Sequence, residues 1–294
     1  MRLIKDIYAD KEALGKPTIS FEFFPFKTPE GEVRFFDKTL PALMEARPDY
    51  ASVTYGAGGS TREKTLKIVE KIQGDFGLTT MAHLTCVKHT IDEINSILDD
   101  AKNRGIRNIL ALRGDPPPGE NWSMTDGGFE YASDLVSYIK AQGDFGIAVA
   151  GFPEGHIDCK DGKEVDWQYL IKKIKCGADI VITQMFFDNS DYFQLVDFLK
   201  EVGVNIPLLP GIIPVDNASQ IKKFSAMCGA KLPKKITTRL EELGDDSDAV
   251  REFGIEYASL QCQELLDNGA PGLHFYTLNK SKAVCGVLSN LNLA

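Results

Sequence analysis

The sequence predicts an α/β fold, a (β/α)8 TIM barrel, forming one domain over residues 1–294 with residues 1–18 as an N-terminal extension. Three observations predict it: short apolar segments rich in β-branched residues alternate with segments of helical period, the apolar segments number eight, and no linker-like stretch interrupts them. The strand segments are Ile19–Phe24, Tyr50–Tyr55, Leu78–Leu84, Asn108–Leu112, Gly146–Gly151, Asp179–Gln184, Ile206–Gly211 and Gly272–Tyr276. Helical period marks Thr61–Gln73, Thr90–Arg104, Tyr131–Gln142, Trp167–Cys176, Tyr192–Glu201, Ala218–Cys228 and a longer stretch from about Asp248 to Asp267. Eight βα units favour a closed barrel over an open doubly wound sheet.

Composition agrees with a chain that buries a sizeable core: 294 residues, 43% hydrophobic and 26% charged. A net charge of −9 and no run of lysine or arginine oppose binding to a nucleic-acid backbone. No stretch stays apolar long enough to span a bilayer, and the first residues lack the apolar core of a leader, so a cytoplasmic protein is the default expectation. Six cysteines (Cys86, Cys159, Cys176, Cys228, Cys262 and Cys285) show no C-x-x-C spacing and read as small buried apolar groups.

Candidate chemistry gathers where strands end. In the first strand, ISFEFFP, alternation places Ser20, Glu22 and Phe24 on one face; a carboxyl among aromatic rings should have a raised pKa and hold a proton, as a general acid must, unless it is a salt-bridged structural glutamate. After the second, VTYGAGGSTRE reads as a glycine-rich turn with Ser60 or Thr61 capping a helix, an arrangement suited to an anion, though neither G-x-G-x-x-G nor a Walker A pattern is present. HLTC and HIDC hold the usual zinc donors, but i and i+3 on a strand face opposite ways, and no metal is expected. In NILALRGD, parity puts Ile109, Ala111, Arg113 and Asp115 on one side, pairing with each other or meeting a ligand, and Gly114 lets a backbone come close to a cofactor.

The longest irregular stretch, residues 113–130, follows that fourth strand; its prolines and glycine pair exclude helix and central strand, and such loops at a barrel's C-terminal face carry function. Gln184 at the end of the sixth strand can both donate to and accept from a heterocycle edge, while Phe186 and Phe187 read as core. Tyr276 and Lys280, after the eighth, offer a ring and a cation for an anionic tail.

In order along the chain, SFEFFP, SVTYGAGGS, HLTC, ALRGDPP, YASDLV, FPEGH, GADIVITQMFFD, LLPGIIPV and LHFYTLN resemble the methylenetetrahydrofolate reductases from about Ser20 to Lys280. The resemblance implies a flavoenzyme of one-carbon metabolism and methionine biosynthesis that holds FAD at the top of a (β/α)8 barrel. It implies ping-pong use of NADH or NADPH and then of 5,10-methylenetetrahydrofolate. By motif, Glu22 is implied as the general acid and Asp115 as the residue beside the flavin and the pterin, stabilising an iminium cation. Gln184, Gln220, Phe224, Tyr276 and Lys280 are implied for the folate, Phe224 packing on its aryl ring or on the nicotinamide. For FAD the implied residues are Thr54, Tyr55, Ala57, His83, Arg113, Gly114, Asp115, Tyr131, Ala132, Phe152, His156, Asp166, Lys172 and Lys173.

Four positions depart from the family pattern: Phe152 stands for a frequent tyrosine, Tyr169 and Lys172 for asparagine and arginine, and Lys280 for arginine. Phe152 loses a hydroxyl and Lys280 a bidentate fork. A homo-oligomer is allowed by the resemblance. The sequence does not choose between NADH and NADPH, and with the chain ending soon after the eighth unit no regulatory domain is expected. Two other readings predict different behaviour: a pterin-binding methyltransferase barrel would take up no FAD, and a non-catalytic flavin subunit of a redox complex would hold flavin that NAD(P)H does not bleach.

Overall fold

The computed structural model describes every residue except 56–61, 117, 118, 121, 144 and 294. Parallel strands β1 (Thr18–Phe23), β2 (Tyr50–Val53), β3 (Thr79–Thr85), β4 (Asn108–Leu112), β5 (Gly146–Gly151) and β6 (Ile180–Thr183) pair in sequence order. The seventh segment is split into β7 (Leu208–Leu209) and β8 (Gly211–Ile212) at Pro210. β7 pairs with β6, whereas β8 pairs with β9 (Gly272–Tyr276), which pairs with β1. A proline lacks the N–H that a central strand needs, so the chain changes partner there and the sheet closes into a barrel of eight staves.

Helices α1 (Ile4–Ala13), α2 (Pro29–Arg34) and α3 (Leu40–Met44) precede β2, a π-helical turn at Phe35–Thr39 joining the last two. Those that follow are α4 (Arg62–Phe76), α5 (Ile91–Asn103), α6 (Ala132–Ala141), α7 (Lys163–Lys175), α8 (Asn189–Glu201), α9 (Ala218–Cys228), α10 (Lys234–Leu243), α11 (Ser247–Asp267) and α12 (Lys282–Asn290). None among the described residues is long and apolar enough to cross a membrane. Outward strand residues such as Phe21, Phe23, Ile109, Ala111, Val149 and Phe275 pack under the helices.

Inward residues Tyr50, Met81, Leu110, Ala148, Ile180, Ile182 and Leu209 form a separate core with Ile4, Ile7 and Tyr8 of α1. The segment read as an extension thus contains a helix that plugs the barrel floor, each buried aliphatic side chain contributing about 2 kcal/mol. Asn108 fastens the plug: its Oδ1 accepts from Ile4 N at 2.8 Å, and its Nδ2 donates to Arg2 O at 3.0 Å and Thr80 O at 3.2 Å. The opposite, C-terminal mouth is left for chemistry.

Candidate active site

β1 carries Glu22 into the barrel because Phe21 and Phe23 on its other face belong to the helix-covered core. In register, Ser20 stands beside Tyr50 on β2 and His274 on β9, while Glu22 stands beside Ser52 and Tyr276. The Glu22 carboxyl is nearly enclosed, and its Oε2 lies 3.4 Å from His83 Nε2 and 3.5 Å from His274 Nε2. Both nitrogens are buried with no fully formed hydrogen bond.

This corrects the expectation of a glutamate kept protonated by apolar surroundings. Burial alone pushes the carboxyl up, but the His83 imidazole facing it, and then His274, outweigh burial and bring it down to about 2.

The fourth strand ends at Leu112, with Leu110 facing the interior and Ile109 and Ala111 facing the helices. Strand parity therefore does not extend to Arg113 and Asp115. Arg113 pairs with Asp158 at 3.0 Å and lies over the Trp122 ring at 5.5 Å, and Asp115 is exposed. Gly114 has a positive φ of 83°, and a Cβ there would fall 2.6 Å from Val87 and 2.8 Å from Thr85. Its packing on the β3 side gives glycine a reason independent of any cofactor. The described residues of 113–130 form neither helix nor strand, as expected.

Burial first, and then the negative charges of Asp115 and Glu22, push the Cys228 thiol up. Asp115 and Glu22 are thus both within electrostatic reach of Cys228. Cys228 also lines a crevice with Phe152, Glu154, Gln184, Met185 and Gly229. Gln184 turns its Oε1 onto Met185 N at 2.9 Å. Tyr276 is partly buried, donates its hydroxyl to Thr183 O at 2.7 Å and sets its ring edge-on to His274. Phe224, one turn before Cys228 on α9, packs with Tyr276 in an apolar cluster, and Gln220 lies on the first turn of α9, its backbone N capped by Asn217 Oδ1. Lys280 Nζ meets Asp216 Oδ2 at 2.6 Å, and Arg251 Nε takes the other carboxylate oxygen at 2.6 Å.

A second group of residues spreads sideways from the mouth over α6 and α7. Lys173, fully enclosed, donates to Ala150 O at 2.5 Å, lies 5.8 Å from the Phe152 ring and is drawn down to about 8 by burial, Asp166 opposing the shift. Trp167 Nε1 donates to Phe152 O at 2.9 Å, and the Phe152 ring meets His156 edge-on at 4.6 Å. Burial first, and then the Arg113 charge, lower His156. Tyr131 is exposed beside Ala132 at the start of α6, and Lys172 lies 5.8 Å over its ring. On the β2 side the Thr54 carbonyl accepts from Thr65 Oγ1, and the Tyr55 hydroxyl lies 3.2 Å from His89 Nε2. Ala57 and the proposed Ser60 or Thr61 cap lie outside the described residues.

The family model described as methylenetetrahydrofolate reductase matches residues 7–292, the whole barrel and its floor. The chain belongs to the methylenetetrahydrofolate reductase family. It is 39% identical over 290 residues to methylenetetrahydrofolate reductase (NADH) 1 of Arabidopsis thaliana, covering 95% of this chain and 49% of that one. To the 5,10-methylenetetrahydrofolate reductase of Escherichia coli it is 38% identical over 280 residues, covering 94% of this chain and 92% of that one. The chain spans about half the length of the plant relatives it matches. A solved Clostridium thermocellum protein described as binding two copies of 5-methyl-5,6,7,8-tetrahydrofolic acid shares the fold, with a TM-score of 0.64 at 15% identity over 98% of this chain and 97% of that one.

The residues that sequence reasoning missed are those defined by neighbours across the barrel. His274 faces Glu22 and is held by Ser20, His89 holds Tyr55, Asp158 holds Arg113, and Asp216 holds Lys280. His274 shares strand parity with Tyr276 in LHFYTLN, the one signal that pointed to it.

Proposed function

We propose that the protein reduces 5,10-methylenetetrahydrofolate to 5-methyltetrahydrofolate, with electrons from a nicotinamide donor passing through FAD in a ping-pong sequence. The observation that carries this reading is Glu22, an enclosed carboxyl inside the barrel facing two imidazoles, in a chain of this family. NADH is the favoured donor because the plant relatives are named for it.

The residues fit a flavin dinucleotide. Lys173 is an enclosed ammonium whose only hydrogen bond among the described residues is to a backbone carbonyl, Lys172 and Arg113 add cations, and the Thr85 hydroxyl and His83 Nε2 are buried without a formed hydrogen bond. Arg113, Lys172 and Lys173 would meet the pyrophosphate, and Tyr131, Ala132, Phe152, His156 and Asp166 would flank the rest. Thr54, Tyr55, His83 and Gly114 would lie along the flavin ring. Bound FAD supplies a two-electron store between nicotinamide and folate.

This chain's own groups do the rest. A folate whose methylene bridge is closed accepts hydride poorly until one carbon–nitrogen bond breaks. Glu22 delivers a proton to the leaving nitrogen, and the bridge opens to an iminium cation. The carboxylate of Asp115 stabilises that cation in a mouth from which bound ligands exclude water. Gln184 meets the pterin edge, Gln220, Phe224 and Tyr276 hold the aryl portion, and Lys280 meets the anionic tail.

An anaerobic spectral titration tests the reading. The purified protein should be yellow, bleach on addition of NADH and regain its colour with methylenetetrahydrofolate. A colourless protein that takes up no FAD, or one that bleaches and is not recoloured by the folate, would reject it.

A further inference from the structure

We propose that His274, oriented by Ser20, is the proton store of this site and supplies the proton that Glu22 hands to the folate. The proposal rests on the folate-reducing reading above, and it assigns a positioning residue that acts through Glu22.

Four observations carry it. His274 has no solvent exposure, so its proton is not exchanged freely with water. Its Nδ1 lies 2.8 Å from Ser20 Oγ, and Ser20 Oγ also lies 3.4 Å from the Leu273 carbonyl. If the serine hydroxyl donates to that carbonyl, it accepts from Nδ1–H, and the neutral ring then presents a bare Nε2 toward Glu22. Two rings fix the plane: Tyr50 stacks at 6.4 Å and Tyr276 stands edge-on at 5.5 Å. Nε2 is buried without a formed hydrogen bond, and Glu22 Oε2 is the acceptor it faces.

The alternative store is His83, whose Nε2 is equally close to Glu22. Among the described residues no hydrogen bond anchors its Nδ1, whereas His274 Nδ1 has Ser20. Among the described residues the titratable groups facing His274 are Glu22 from β1, Tyr50 from β2 and Tyr276 from β9; His83 from β3 faces the same Glu22 oxygen, and Cys228 from α9 feels Glu22 and Asp115.

The step balances without any oxidant or reductant. In this relay Glu22 starts as a carboxylate and the proton starts on His274 Nε2, which faces it. The Nε2–H bond breaks, its electron pair stays on the ring, and the proton forms an O–H bond on Glu22 Oε2. That O–H then breaks as an N–H forms on the leaving nitrogen of the folate, and Glu22 is a carboxylate again. The neutral ring keeps its Nδ1–H on Ser20 until the open mouth reprotonates it through Glu22. Burial opposes the ionised pair and the facing imidazoles favour it, so further exclusion of water by bound ligands moves the balance toward the neutral pair.

The test compares wild type, His274→Gln and Ser20→Ala in single-turnover reoxidation of the reduced holoenzyme by methylenetetrahydrofolate, from about pH 6 to 9. For His274→Gln, the folate half-reaction should slow about tenfold more than the nicotinamide half-reaction. Its high-pH limb should move down by about one pH unit or more, since a carboxyl alone binds a proton more weakly than an imidazole. Ser20→Ala keeps the ring and should move the limb in the same direction by less. A second readout needs no turnover: in the 15N spectrum of the protein without folate, Glu22→Gln should shift the His274 Nε2 resonance. Superimposable pH profiles, equal slowing of both half-reactions, or a His274 resonance unmoved by Glu22→Gln would overturn the proposal. If the wild type itself is not reoxidised by the folate, the functional reading fails instead, and the resonance alone decides whether the proton is shared.

Discussion

At the scale of single residues, what a group can do here is set by the one or two side chains facing it across the mouth. Glu22 was legible in ISFEFFP as an acid out of place, but its protonation was not. Its state depends on His83 and His274, which come from β3 and β9 and lie far away in sequence. Lys173 makes the same point with the sign reversed. Burial holds it at about 8, below its unfolded value, so the folded chain binds fewer protons than the unfolded one above that pH. The enclosed ammonium costs stability at neutral pH, and the cost fades as pH rises through 8. An anionic cofactor at Lys173 should reverse the shift, so FAD binding near pH 8 should take up a fraction of a proton, read by calorimetry in buffers of different ionisation enthalpy. Lys173→Met should abolish that uptake, and uptake that survives the change would place the anion elsewhere. Asp115→Asn should slow the folate half-reaction about tenfold or more while affecting the nicotinamide half-reaction less. Stopped-flow absorbance at the flavin band separates the two, and equal slowing would remove the electrostatic role.

At the scale of elements, the staves were easier to read than what surrounds them. β4, β5 and β9 have the expected limits because each is a short, largely apolar run bounded by irregular segments. The seventh segment was found as one strand, and only the pairing reveals that Pro210 divides it. α7 begins at Lys163 instead of Trp167 and α8 at Asn189 instead of Tyr192, since their polar first turns show no apolar period. α1, α2, α3, α10 and α12 went unread for similar reasons: α2 and α3 are too short to show a period, and α1 buries its apolar side in the barrel floor instead of on the helical layer. Close approach between elements also escapes a sequence pattern. Gly254 in the middle of α11 sits so near the loop before α9 that a Cβ would meet Val215 O at 1.8 Å. Gly254→Ala should cost about 1–3 kcal/mol in thermal unfolding and, by displacing the loop that carries Asp216, raise the KM for the folate. An unchanged melting temperature would show that the helix shifts without strain.

At the scale of the whole molecule, the barrel divides its labour along its axis. The floor is closed by α1 through apolar packing and the Asn108 hydrogen bonds, and the mouth gathers charged and polar groups that packing alone does not explain. Asn108→Ala, which strips three hydrogen bonds from the floor, should therefore lower stability by about 1–3 kcal/mol and leave both half-reactions at the mouth close to wild type. Thermal melts alongside half-reaction rates check this, and a selective loss of one half-reaction would mean that floor and mouth are coupled. The central claim lies at the other end: the enclosed carboxyl of Glu22 is the group through which a proton reaches the folate. The most direct measurement is rapid-mixing absorbance of the Glu22→Gln protein, first with NADH and then, once bleached, with methylenetetrahydrofolate. The account expects FAD to stay bound and to bleach at close to the wild-type rate, with recolouring slowed by about a hundredfold or more. Recolouring at the wild-type rate would contradict it.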